Sequence, residues 1–388
     1  MKDVRLSERL KEVALLFLRL GATSFGGPAA YIALMHHEIV VRRKWVDDQK
    51  FLDIMGAVNL IPGPNATEVA SHLGLIRAGW MGLITAGGLF ILPGTAAIIL
   101  VAWAYVTYGS LPQVEWVLYG VKPAVIAIVA QAVWSLARTG IKKPTLIVVG
   151  LGVLVLYLFG LNEILLLLGG AALVILVQSG IRWFKSPAAG LLIAPVVFSK
   201  FPLIGLATGI TAFSQTTLFL TFLKMGATLF GSGYVLLAFL RSNFVSGLGW
   251  LTDAQVVDAV AVAGQITPGP VFNSAAFVGY LLGGWPSALL AALGIFLPSF
   301  ILVGLLSRFL PVMRKSWWAG SFLDGINAAS LGLMAAVAIQ LGRVVLIDWF
   351  TILIMIGALF LLLKFKLSSV WLVLGGGALG VIYKLIIG

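Results

Sequence analysis

Asn59-Leu60-Ile61-Pro62-Gly63-Pro64-Asn65-Ala66-Thr67-Glu68 interrupts an apolar segment that runs from about Phe51 to Ile76. Two prolines around a glycine remove backbone donors and cannot sit inside a continuous α-helix. At membrane depth such a break survives only where it is buried in protein or lines a polar cavity. Pro64 is placed to open a second half-helix, with Gly63 just outside it. That half-helix would turn its free N–H groups and positive dipole end into the membrane. Gln265-Ile266-Thr267-Pro268-Gly269-Pro270 repeats the device. Paired Gly/Pro-broken segments at matching places in two halves point to a transporter binding site.

Composition agrees with a membrane setting. Hydrophobic residues make up 60% of the 388 and charged residues 10%, against about 25% charged in a soluble domain. The formal charge of +12 does not indicate nucleic acid, because the basic residues lie between apolar segments rather than in one patch. Basic loops mark the cytoplasmic side. With no cysteine there is neither disulfide nor thiolate metal site. His36-His37-Glu38 only superficially resembles a metal site, since adjacent residues point to different helix faces. No metal and no cofactor are expected, nor a cleavable signal peptide; residues 1–12 read as a cytoplasmic amphipathic lead-in.

Twelve apolar segments follow in two sets of six, and the sets match at a nearly constant shift of 205 residues. Arg19-Leu20-Gly21-Ala22 falls on Lys224-Met225-Gly226-Ala227, Phe25-Gly26 on Phe230-Gly231, Trp45 on Trp250, Asp48 on Asp253 and Asp53 on Asp258. The Pro-Gly-Pro pair is offset by one more. The register then returns at Gly74 and Gly279, Pro93 and Pro298, Gly120 and Gly325, Arg138 and Arg343. The chain is an internal duplication: a first membrane repeat at 13–186, a linker or extra crossing at 187–212, and a second repeat at 213–388. Loop charge alternates between the halves. The third-to-fourth connection holds only Glu115 in one half and Arg308, Arg314 and Lys315 in the other, and the next two connections swap. The expected fold is therefore an all-α polytopic membrane protein, two homologous halves in inverted topology, with about ten transmembrane helices. The basic N-terminus and Arg42-Arg43-Lys44 both favour the cytoplasm, so at least one broken segment is expected to be a re-entrant hairpin.

Few residues are placed to carry chemistry. Arg19 and Lys224 are matched cations within apolar segments, each seven residues, about two turns, before the glycine of its break. An intramembrane cation costs ~2.5–3.5 kcal/mol on insertion scales, which marks it as functional by default; Arg19 could alternatively snorkel to the interface. Asn65, Thr67 and Asn273 follow the prolines and could bind a ligand or cap a half-helix. Glu68 has no acidic counterpart, since the matching stretch reads Asn273-Ser274-Ala275. It is a candidate for proton coupling or a neutral packing residue. His72 reads as a packing or interface residue. Together these features describe an oxyanion site of half-helix ends, glycine N–H groups and two cations. It draws on Arg19, Ser24, Gly26, Gly27, Pro62, Gly63, Pro64 and Asn65, and on Lys224, Gly231, Pro268, Gly269, Pro270 and Asn273.

Ser24-Phe25-Gly26-Gly27-Pro28, the Trp45 loop, Pro62-Gly63-Pro64, the glycines through Gly79 and Gly82 to Pro93, and their second-half copies resemble the chromate ion transporter (CHR) family in its long two-domain form. The resemblance covers nearly the whole chain and departs where Ser232-Gly233 replaces the Gly-Pro of the first break, which weights the first half as the binding half. It implies chromate efflux, with sulfate as look-alike or counter-substrate, in the inner (plasma) membrane. It leaves a homodimer open. A dianion leaving a negative interior gains ~4.6 kcal/mol per 100 mV, twice the single-charge value, so export could run on the potential alone. The alternatives are a sulfate or other anion uptake system or channel, and an intramembrane enzyme, for which no nucleophile or metal constellation is visible.

Overall fold

The computed structural model describes residues 6–24, 28–109, 111–141, 143–185, 212–231, 233–263, 267–307, 316–365 and 367–387, and among them every regular element is helical. α1 (Leu6–Thr23) and α2 (Pro28–His36) flank the first break, and α2 continues through a π-helical turn, His37–Arg42. α3 (Asp48–Val58) leads to Pro62-Gly63-Pro64, and α4 (Asn65–Tyr108) follows it. α5 (Pro112–Gly140), α6 (Pro144–Leu158) and α7 (Glu163–Lys185) complete the half. The second half repeats the order. α8 (Gln215–Thr228) and α9 (Leu236–Leu240) flank a break, α9 again runs into a π-helical turn, Arg241–Gly247, and α10 (Asp253–Val262) precedes the second Pro-Gly-Pro. A 3₁₀ turn, Val271–Asn273, opens α11 (Ser274–Leu306), followed by α12 (Trp317–Val345), α13 (Trp349–Phe365) and α14 (Ser369–Ile387). The expected linker or extra crossing at 187–212 lies, residue 212 apart, outside the described residues.

α4 and α11 each reverse direction on a glycine in the left-handed region, Gly79 (φ 65°) and Gly284 (φ 69°). A side chain is disfavoured there, while glycine is not. Residues 65–77 consequently fold back along 80–108, so closely that a Cβ on Gly74 would lie 2.2 Å from the Gly82 carbonyl oxygen. At the mouth of this hairpin the Trp45 indole stands between the guanidinium groups of Arg43 and Arg77, 5.9 and 5.3 Å from its centre. Glu12 accepts hydrogen bonds from Arg43 (2.9 Å), Arg77 (2.6 Å) and the indole N–H (3.3 Å). Glu12 belongs to α1, Arg43 follows the π-helical turn and Arg77 ends the short arm of α4. Both broken segments therefore enter and leave by one face, and the basic N-terminal helix shares that face with the Arg42–Lys44 loop. Both are re-entrant hairpins.

The second half opens on the opposite face. The long arm of α4 runs from the Trp45 face to Tyr105, whose hydroxyl donates at 2.9 Å to Asp258 of α10, the helix that follows the Trp250 turn. The long arms of α4 and α11 cross antiparallel: Trp80 at the start of one covers Gly304 near the end of the other. The halves are thus inverted. Chemistry repeats along with backbone. His36–Asp48 (2.7 Å) is matched by Arg241–Asp253 (2.8 Å), and Lys143–Asp324 (3.3 Å) by Tyr119–Asp348 (2.6 Å). The turn carrying Lys44 (φ 52°) is matched by one carrying Gly249 (φ 67°).

The outer helices exchange partners between halves. α5 packs on α14 at Gly120 and Gly376, and α12 packs on α7 at Gly325 and Ala171. These pairs are equivalent at the 205 shift. Small residues let backbones approach where lipid supplies no hydrophobic drive between helices. α6 and α13, of 15 and 17 residues, lie against α12 and α5. Six helices among the described residues are long and apolar enough to cross a membrane, α4, α5, α7, α11, α12 and α14, each within its described length. The chain is a multi-pass membrane protein of two interlocked halves.

Candidate substrate site

All four breaks meet inside the protein. Gly63 donates its N–H to the Leu229 carbonyl at 2.8 Å, and Gly269 donates to the Ser24 carbonyl at 2.9 Å. The tip of the second hairpin in each half is bonded to the tip of the first hairpin in the other. The expectation of glycine N–H groups open to a ligand is corrected at these two positions: both amides are taken by a carbonyl across the halves. Both glycines have positive φ, 132° at Gly63 and 92° at Gly269. At Gly63 a Cβ would also stand 2.0 Å from Ser299 Oγ and 2.6 Å from Glu68 Oε1. Depth follows from the neighbours. Gly94, midway along 80–108, faces the Pro268 carbonyl, and Ser299, its repeat equivalent on α11, faces Gly63. Pro62, Pro64 and Pro270 are buried and Pro268 half-buried.

The half-helix ends differ in dress. No side chain caps α4 behind Pro64 or the 3₁₀ turn behind Pro270. Asn65 donates to Asn59 Oδ1 at 2.7 Å, bridging its own break. Glu68 is fully buried; Oε1 accepts from the Ser299 hydroxyl at 3.1 Å and Oε2 has no partner. Asn273 is also fully buried: its Oδ1 accepts from Thr95 at 3.3 Å, while Nδ2 has no partner. Thr67 Oγ1 is buried without a partner. The Ser24 hydroxyl returns to the Leu20 carbonyl. Gly231 (φ 93°) packs on Ser330. Gly26 and Gly27 lie outside the described residues.

The two cations stand five residues before the carbonyls that grip the opposite breaks, Arg19 before Ser24 and Lys224 before Leu229. Arg19 lies 3.8 Å from Glu38, with its side chain 63% exposed. Lys224 donates to Asn243, whose amide in turn donates to Glu163 at 3.0 Å. Glu38 and Asn243 are themselves repeat equivalents, both within the π-helical turns. Sequence reading missed them, along with Thr95, Ser299 and Glu163, and it takes Lys122 for a loop-end charge, whereas the structure sets it 3.3 Å from buried Asp258. The 205 shift applied to Glu38 would have revealed the first of these. Among the described residues no group of three or more His, Asp or Glu side chains could hold a metal.

Residues 11–175 and 216–381 each match the family model described as chromate transporter. The chain belongs to the chromate transporter family. It is 33% identical over 363 residues to the probable chromate transport protein of Synechococcus elongatus, covering 93% of this chain and 91% of that one. It is 33% identical over 378 residues to the chromate transport protein of Cupriavidus metallidurans, with 95% and 92% covered. The chromate transport protein of Pseudomonas aeruginosa is 32% identical over 342 residues, with 84% and 80% covered. No solved structure gives a significant match. In this chromate transporter family member, hairpins entering from both faces touch at their tips, so a single central region is approached from either side.

Proposed function

We propose that this protein is a secondary transporter that exports chromate across the inner (plasma) membrane, with sulfate as the competing look-alike. The observation that carries the reading is the cross-bonded meeting of four helix breaks, with Gly63 held by Leu229 and Gly269 by Ser24. Breaking those two bonds separates the tips, frees two glycine N–H groups and turns the half-helix ends toward an anion. The names of the relatives support chromate as cargo. The Trp45 face, which gathers Arg43, Arg77, Arg138, Lys143 and Lys364, is the cytoplasmic one by the distribution of basic residues. Arg19 and Lys224 line the path, and Glu68 is the coupling site. A dianion moving outward from that face runs down the potential.

The test is transport by the purified chain in liposomes under an imposed potential. Chromate is expected to move toward the positive side, with sulfate competing and molybdate competing less. Transport of sulfate that ignores chromate would redirect the reading to a sulfate carrier. No movement of any oxyanion would end it.

A further inference from the structure

The two Pro-Gly-Pro breaks share a backbone but not a chemistry. The second is surrounded by neutral hydrogen-bonding groups. Tyr31 donates its hydroxyl to the Gly269 carbonyl at 2.7 Å, Thr95 donates to Asn273 Oδ1 at 3.3 Å, and the Asn273 amide packs beside the break. The Thr95 hydroxyl is shared between the Ile91 carbonyl at 3.0 Å and Asn273 Oδ1 at 3.3 Å, and with the amide assigned so that Oδ1 accepts, its NH₂ end faces the break. Nδ2 is fully buried and without a partner. It faces two glycines: a Cβ at Gly94 would come within 2.4 Å of it and one at Gly269 within 3.0 Å. At the repeat-equivalent positions the first break has Leu236 for Tyr31 and Phe300 for Thr95, with Glu68 in the first turn of its half-helix. Glu68 meets Ser299, and no cation pairs with it among the described residues. The nearest titratable group along its helix is His72, one turn on.

A buried donor without an acceptor costs ~1–3 kcal/mol, and such a group beside an uncapped half-helix end is what an anion satisfies. A buried carboxylate does the reverse, repelling a dianion when ionised and offering one donor when not. Arg19 stands ~7.5 Å of helix rise before Ser24, the residue that grips Gly269, with its guanidinium beside Glu38.

Resting on the reading of oxyanion transport, we propose that the anion is seated at the second break alone, with Asn273 Nδ2 as its principal side-chain donor, Thr95 fixing that amide, and the Glu68 break taking no anion. This reverses the weighting of the first half that the missing proline at Ser232-Gly233 suggests.

Equilibrium binding of radiolabelled sulfate, with chromate as competitor, to the purified full chain decides it. Asn273→Ala is expected to weaken binding about tenfold or more, Asn273→Asp to abolish it, and Thr95→Val to weaken it by a smaller factor. Ser299→Ala, at the first break, is expected to bind no more weakly than the unaltered chain. Thermal unfolding checks that each variant is folded, and Thr95→Val carries the test if the Asn273 variants are not. Unaltered affinity in folded Asn273→Ala and Thr95→Val overturns the seat, as does loss of binding in folded Ser299→Ala. If the unaltered chain binds neither anion, the transport reading itself fails, and this seat with it.

Discussion

Arg19 and Lys224 occupy equivalent places 205 residues apart, yet their partners differ in kind. Arg19 faces a carboxylate, Glu38, which Arg42 and Arg43 also approach, at 3.1 and 3.6 Å. Lys224 faces an amide, Asn243, backed by Glu163. Arg19→Gln leaves Glu38 its other two guanidinium neighbours, so the protein is expected to fold and insert while transport falls about tenfold or more, an equivalent of ~1.4 kcal/mol. Lys224→Gln removes the cation above a buried carboxylate. It is expected to lower both transport and thermal stability, and vesicle uptake normalised to inserted protein separates the two effects. At Glu12, burial pushes the carboxyl up, but hydrogen bonds and charge from Arg77 and Arg43, with the Trp45 N–H, outweigh it and hold the group below its ordinary 4.5. A carboxyl lowered in the folded state contributes stability that is complete above about pH 4.5 and lost as pH falls through the lowered value. The acid-side drop in unfolding temperature is therefore expected to be steeper in the unaltered chain than in Glu12→Gln. Equal slopes would show that the cluster contributes nothing.

At the scale of elements, the breaks were legible because their signals are local: Pro62-Gly63-Pro64 and Pro268-Gly269-Pro270 forbid a helix wherever they fall. The matching of elements was legible from positions such as Trp45 and Trp250. The joining of elements was not. An amide donating to a carbonyl, as Gly63 does to Leu229, involves atoms every residue owns, so no side chain announces it. The π-helical turns that place Glu38 and Asn243 opposite the cations have no period to read, and Tyr31 and Ser299 have counterparts of another type, Leu236 and Gly94. One expectation tests the pairing of elements directly. A Cβ at Gly120 would meet the Gly376 backbone in α14, and one at Gly325 the Ala171 backbone in α7. Gly120→Val and Gly325→Val are expected to destabilise by similar amounts, ~1–3 kcal/mol each as for overpacked cores, measured by thermal unfolding in one detergent. A large effect in only one would mean that the two interfaces are not equivalent.

For the molecule as a whole, inversion makes a prediction that the absence of cysteine renders simple to check. Lys44 and Gly249 hold the same left-handed turn at opposite faces. Lys44→Cys and Gly249→Cys are expected to react with a membrane-impermeant maleimide from opposite sides, Lys44→Cys from the cytoplasm. Labelling of both from one side would refute the inverted arrangement. The exchange of partners between halves also bears on how the protein is made. Ser24 leaves the ribosome 245 residues before Gly269 (269 − 24) and Gly63 166 residues before Leu229 (229 − 63), intervals of ~8–50 s at ~5–20 residues per second. Throughout them, the nascent first half sits in lipid with its hairpin tips unmated and the small-residue faces of α5 and α7 bare. A chain stalled there is not half of a transporter but a client for insertion factors and quality-control proteases, and residues 1–212 expressed alone are expected to be degraded unless residues 213–388 are supplied from a second message.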